Sequence, residues 1–265
     1  MKGCPAKDSL RRTSMLKTIY AILSLILCVA SPIVYVIVMR KKYGMHFHFW
    51  DILIGIVTTF LGKYVLFSYL CSIAVSLFPS VFQSNLSYSL LSIFTTCLMV
   101  VLPILLVNRF YYKNDLGFEN GTSFALGATI ADLLNSVLMA ALSNVIYLMQ
   151  MGNGTLKENL LQTLNETQAA AVLNTYSSYP SSYYLYIGII AVTMLAGNHL
   201  MMVLIAAYNK NANKKFGLVA FVLVVIINAV VYYYLSPLSL SIANLSLIFI
   251  AFLQFVLARN LIRFQ

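Results

Sequence analysis

Acidic side chains are scarce in this chain: seven Asp and Glu stand among 265 residues, beside three His, one Trp and four Cys. Only one acid and one His fall well inside apolar runs. That is too few for a zinc site, which takes three protein ligands, or for paired-carboxylate chemistry. The cysteines at 4, 28, 71 and 97 form no Cys-x-x-Cys pair and join no His at ligand spacing, which leaves them as packing residues. No G-x-x-x-x-G-K-[ST], G-x-S-x-G or H-E-x-x-H occurs, so phosphate-loop, α/β-hydrolase and zincin chemistries are excluded. Charged residues make up 9% and hydrophobic ones 61%, with a mean hydropathy of +0.86, which fits neither a soluble globule nor a disordered chain.

What is abundant is long apolar sequence. With roughly 20 residues needed to cross hydrocarbon, seven spans are expected, at 18–39, 51–75, 88–108, 122–151, 183–208, 217–235 and 237–258. Lipid offers no water to unpaired backbone and the alternation of a barrel strand is missing, so the expected fold is an all-α polytopic bundle. Residues 1–265 read as a single integral membrane domain whose longest polar stretch, 152–182, is an extracytoplasmic loop. The first span is too long for a cleaved signal peptide and reads as a retained helix. The fourth implies tilt, a break or a protruding end, and Pro32 and Pro103 are expected to kink their helices.

The net charge of +10 reflects short basic loops rather than nucleic-acid binding. Arg40, Lys41, Lys42, Arg109, Lys113, Lys210, Lys214, Lys215, Arg259 and Arg263 all fall on one side of the seven-span arrangement. The opposite loops hold only Lys157, which places the C-terminus in the cytoplasm and the N-terminus outside. Lys2, Lys7, Arg11, Arg12 and Lys17 crowd the N-terminus and oppose that placement. In the outer loop Leu156, Leu160, Leu161 and Leu164 recur at helical spacing.

An ionisable group at mid-membrane costs about 2.5–3.5 kcal/mol and so needs a partner or a task. Lys63, Asp132 and His199 qualify. An ion pair between Lys63 and Asp132 would hold two helices in register; the alternative is a polar cavity for a substrate, ion or proton. Asp132, Asn135, Ser136, Met139 and Ser143 step along one helix face expected to look inward, and Asn228 adds a polar group from the sixth span. His46 and His48, beside Trp50, read as interfacial anchoring rather than a metal site.

The order of these elements resembles the YhfC-like membrane peptidase family, relatives of the CAAX-processing intramembrane proteases, over nearly the whole chain. "RKKYGMHFHFWDILIGI" is similar to that family's first basic loop and second span. "LLVNRF" stands where it carries Glu-Glu-x-x-Arg-Tyr: Arg109 matches, and Leu105 and Leu106 replace the glutamates. "GATIAD" keeps Gly127 of Gly-His-Gly-Gly-x-Glu, with Ala128 at the His and Asp132 at the Glu. His199 in "NHLMMVLI" matches an inward His, while Asn228 and Tyr232 stand where His-x-x-x-Asp is expected. The resemblance implies a protease scaffold of a Gram-positive plasma membrane that has lost its catalytic groups. The function expected is a non-catalytic subunit that binds a membrane protein or a hydrophobic peptide and uses no cofactor. The alternatives are a residual protease acting through Asp132 and His199, and a transporter or bacteriocin-immunity component.

Overall fold

The computed structural model describes residues 5–79, 85–210, 222 and 240–263. Every regular element among them is helical. In chain order these are α1 (Pro5–Tyr43), α2 (Phe49–Leu77), α3 (Asn85–Phe110), α4 (Phe118–Asn153), α5 (Leu156–Leu161), α6 (Glu166–Ser178), α7 (Ser181–Lys210) and α8 (Leu240–Arg263). Five stretches are long and apolar enough to cross a membrane: Met15–Tyr43, Phe49–Leu77, Phe118–Asn153, Ser181–Lys210 and Asn244–Ile262. α3 adds the shorter apolar stretch Leu98–Phe110 where span 88–108 is expected. The expected span 217–235 lies outside the described residues apart from Val222, so the described residues hold five candidate spans of the seven expected.

Two spans are interrupted by π-helical turns, Phe60–Leu66 in α2 and Leu133–Val137 in α4. The second supplies the break expected of a helix 36 residues long. A π-turn shifts the phase of every residue beyond it, so a stripe drawn at the regular helical period does not stay on one face. Asp132, ahead of the turn, is buried, whereas Asn135 and Met139 are exposed. The expectation that the whole stripe faces inward therefore fails at these two positions.

The chain divides into two compact units, residues 32–132 with 192–265 and residues 1–31 with 133–191. In the larger, α2 and α4 cross with their backbones touching, because Gly127 lies on the Ile52 carbonyl and Gly55 on the Phe124 carbonyl. Leu200, Met202 and Ile205 of α7 pack with Phe124, Ile104 and Ala258 into the main core. α7 and α8 run parallel: Thr193 donates to the Leu247 carbonyl at 3.4 Å and, further along both helices, the His199 and Phe255 rings lie 6.3 Å apart. α8 buries Asn244, Leu247, Ala251, Gln254 and Ala258, a face with steps of three and four, and exposes Leu245, Phe249 and Phe252 as a lipid-facing side does.

One end of this unit gathers Arg40, Lys41 and Lys42 from the last turn of α1, Arg109 from that of α3, Lys210 from that of α7 and Lys113 from the loop after α3, all exposed. The His48 backbone N–H donates to Ser123 Oγ at 3.0 Å, its ring nears Glu119 at 3.9 Å, and Asn108 and Asn209 exchange amide hydrogen bonds of 3.2 and 2.9 Å. Phe49 and Trp50 are exposed at this end, as interfacial anchoring requires.

The smaller unit carries the polar loop. α5 and α6 pack through Leu156, Leu160 and Ala169, with Leu161 exposed, and Asn165 and Gln168 form a reciprocal capping box at the start of α6. At the end of α6 the buried Lys17 ammonium donates to the carbonyls of Tyr176 at 3.0 Å and Ser177 at 2.8 Å. A cation at a helix C-terminus satisfies orphan carbonyls and the dipole together. The start of the first span and the end of the polar loop's second helix therefore lie together. Tyr176 also donates to Asn144 at 2.9 Å, and its phenol is pushed up to about 12 by burial and by the neighbouring Tyr147, Tyr183 and Tyr179, so it stays a donor. Lys17→Met should cost about 1–3 kcal/mol locally and speed proteolytic cleavage between 154 and 180 in detergent, with little change in the global melting midpoint. An unchanged cleavage rate would show that Lys17 does not tether the loop.

Candidate functional site

The intramembrane charges meet in the larger unit. Asp132 closes the α-helical first part of α4, and Lys63 and Tyr64 lie in the π-turn of α2. Lys63 Nζ and Tyr64 OH both donate to Asp132 Oδ1 at 2.8 Å. Oδ2 accepts from Asn198 Nδ2 of α7 at 3.1 Å, and Asn198 Nδ2 also donates to Thr129 Oγ1 at 3.2 Å. Thr129 in turn donates to the Ala125 carbonyl at 2.8 Å. The Asp132 side chain is 3% exposed and that of Lys63 25%, so the acid is sealed while the base reaches toward the surface of α2. Three spans are joined by one carboxylate that accepts from three donors, on two of the spans that it does not itself belong to.

His199 belongs to a separate contact. Its Nδ1 lies 2.7 Å from Tyr35 OH of α1, with the rings edge to face at 5.2 Å, and both residues are buried. The two acid-base candidates thus engage different partners, His199 a phenol and Asp132 an ammonium with two neutral donors. Among the described residues no group of three His, Cys, Asp or Glu could hold a metal ion.

The remaining predicted positions are dispersed. Asn135 is exposed beyond the π-turn, Arg109 is exposed in the last turn of α3, and Gly127 is buried at the helix crossing. Leu105 packs on the main core and Leu106 is exposed, so the two places of the missing glutamates face different surroundings. Asn228 lies outside the described residues.

Several polar partners leave little trace in the sequence. Tyr64, Thr129 and Asn198 complete the Asp132 site, and only Thr129, three residues before Asp132 on the same helix face, left a positional signal. Asp51 accepts from Tyr112 OH at 2.7 Å, and burial together with that carboxylate pushes the Tyr112 phenol well up, keeping it neutral. No family model, curated protein or solved structure matches this chain.

Proposed function

We propose that this chain is a non-catalytic, multi-pass membrane subunit on a helix bundle like that of an intramembrane protease, and that it binds a membrane-protein segment or hydrophobic peptide. The observation that carries this reading is the separation of roles in the polar interior. Asp132 is held by Lys63, Tyr64 and Asn198, while His199 is set against Tyr35. Acid-base catalysis needs a proton acceptor within reach of the reacting group and of its activating partner, whereas a carboxylate held by donors from two other spans fastens helices. Seven crossings belong to the same reading, as the apolar runs of the sequence count them. The stretch 211–239 is longer than the roughly 20 residues a crossing takes. The exposed basic end is then cytoplasmic, with the C-terminus on that side and the polar loop outside, in the plasma membrane of a Gram-positive bacterium.

Affinity isolation of the intact chain from native membranes in mild detergent tests the proposal. A membrane protein retained in stoichiometric amount, and weakened in Asp132→Asn, is the expected result. The residual-protease reading replaces it if no partner is retained and a shortened membrane protein accumulates uncleaved in folded Asp132→Asn and His199→Ala variants.

A further inference from the structure

Three asparagines at the basic end are bonded to one another: the Asn108 and Asn209 side chains exchange amide hydrogen bonds, and the Asn114 backbone N–H donates to the Asn108 carbonyl at 2.8 Å. The Asn209 amide also reaches the Leu116 carbonyl at 3.4 Å. Each asparagine has a base as its chain neighbour, Arg109, Lys113 and Lys210, all exposed. Lys113 and Asn114 both hold left-handed backbone, with φ of 52° and 60°, as the loop folds back over the end of α3. Among the described residues the ion pairs are His48–Glu119 and Lys63–Asp132, so none of these three bases is spent on a described acid. Lys210 lies 5.1 Å from the centroid of the Phe118 ring, and Asp115 is the one acid in the loop between Arg109 and α4.

Bases in a last helical turn also offset the helix dipole, and that explains one base on each helix. It does not explain a third base brought in by a loop in left-handed conformation. An apolar ridge leads to the same place: Phe94, Leu98, Leu102, Leu106 and Phe110 are exposed at four-residue steps along α3. Sixteen residues of helix make this ridge about 24 Å long, comparable to an extended acyl chain and ending beside Arg109. We propose that Arg109, Lys113 and Lys210 seat the phosphate of an anionic phospholipid whose acyl chain lies along the α3 ridge.

The purified full-length protein is loaded with phosphatidylglycerol or phosphatidylcholine in mixed micelles, and bound lipid is counted by native mass spectrometry. Wild type should retain phosphatidylglycerol in preference to phosphatidylcholine. Replacing all three bases with Gln should weaken retention on the order of a hundredfold, given the strength of each base near an anionic surface. The triple variant Arg40→Gln/Lys41→Gln/Lys42→Gln removes the same charge from the same end and should stay within about threefold of wild type. Lys113→Asn, in which the new residue accepts the left-handed backbone, should lose about fivefold without loss of fold. Equal losses in the two triple variants, equal retention of the two lipids, or full competition by millimolar inorganic phosphate would each overturn the assignment.

Discussion

Replacing Gly127 with alanine is expected to unfold the α2–α4 crossing, lowering stability by at least about 3 kcal/mol, the upper part of the range for overpacked interiors. The added Cβ would overlap the Ile52 carbonyl, a main-chain atom that no rotamer change can move aside. Gly55 makes the reciprocal approach to the Phe124 carbonyl one turn away along the same crossing, so the helices cannot relieve one clash by sliding toward the other. Where lipid removes the hydrophobic drive between helices, close packing of small residues is a main source of association. Gly117→Ala is the matched control, because a Cβ there meets nothing within 4 Å. Unfolded fraction against SDS mole fraction in mixed micelles measures both. If Gly127→Ala unfolds at the same SDS fraction as Gly117→Ala, the backbones are not in contact.

The charge pair should produce the other large effect, with a signature in the double variant. Asp132→Ala leaves the donors of Lys63, Tyr64 and Asn198 without their shared acceptor, and Lys63→Met leaves a carboxylate that is 3% exposed without its counter-charge. Breaking one side of a buried pair costs about 3–5 kcal/mol. Removing both charges in Lys63→Met/Asp132→Leu should restore at least half of that loss, since apolar residues of similar volume often replace a buried pair at little cost. The same SDS titration yields the coupling energy. Single costs that simply add would mean that Lys63 and Asp132 do not depend on each other for stability.

The positions of the spans could be read in the sequence, because lipid imposes one demand, an uninterrupted apolar run of known length. α1, α2, α3, α4, α7 and α8 all fall on expected runs. Lys63 and Asp132 could be matched as well, since two isolated charges at mid-membrane have few alternatives to each other. The π-turns could not, because no residue type in Phe60–Leu66 or Leu133–Val137 marks a π-turn. Asn135 was placed inward only by carrying a regular period through one of them. The partner of His199 was hidden for a different reason: Tyr35 is 164 residues away and is one of 18 tyrosines, nothing about it standing out before the helices are assembled. Gly127 was noticed for its place in a motif, yet its surroundings give it a packing role.

Synthesis runs from the N-terminus, so the contact between Lys17 and the end of α6 sets an order of events during insertion. Its two members are separated by 159 residues, which at ordinary translation rates is a delay of roughly 10–30 s. Through that interval the Lys17 ammonium has neither of the carbonyls that it ends against. Only when the carbonyls of Tyr176 and Ser177 emerge can the ammonium be withdrawn from water. The contact is thus a late one, and the polar loop can hold the first helix only once the loop itself has been made.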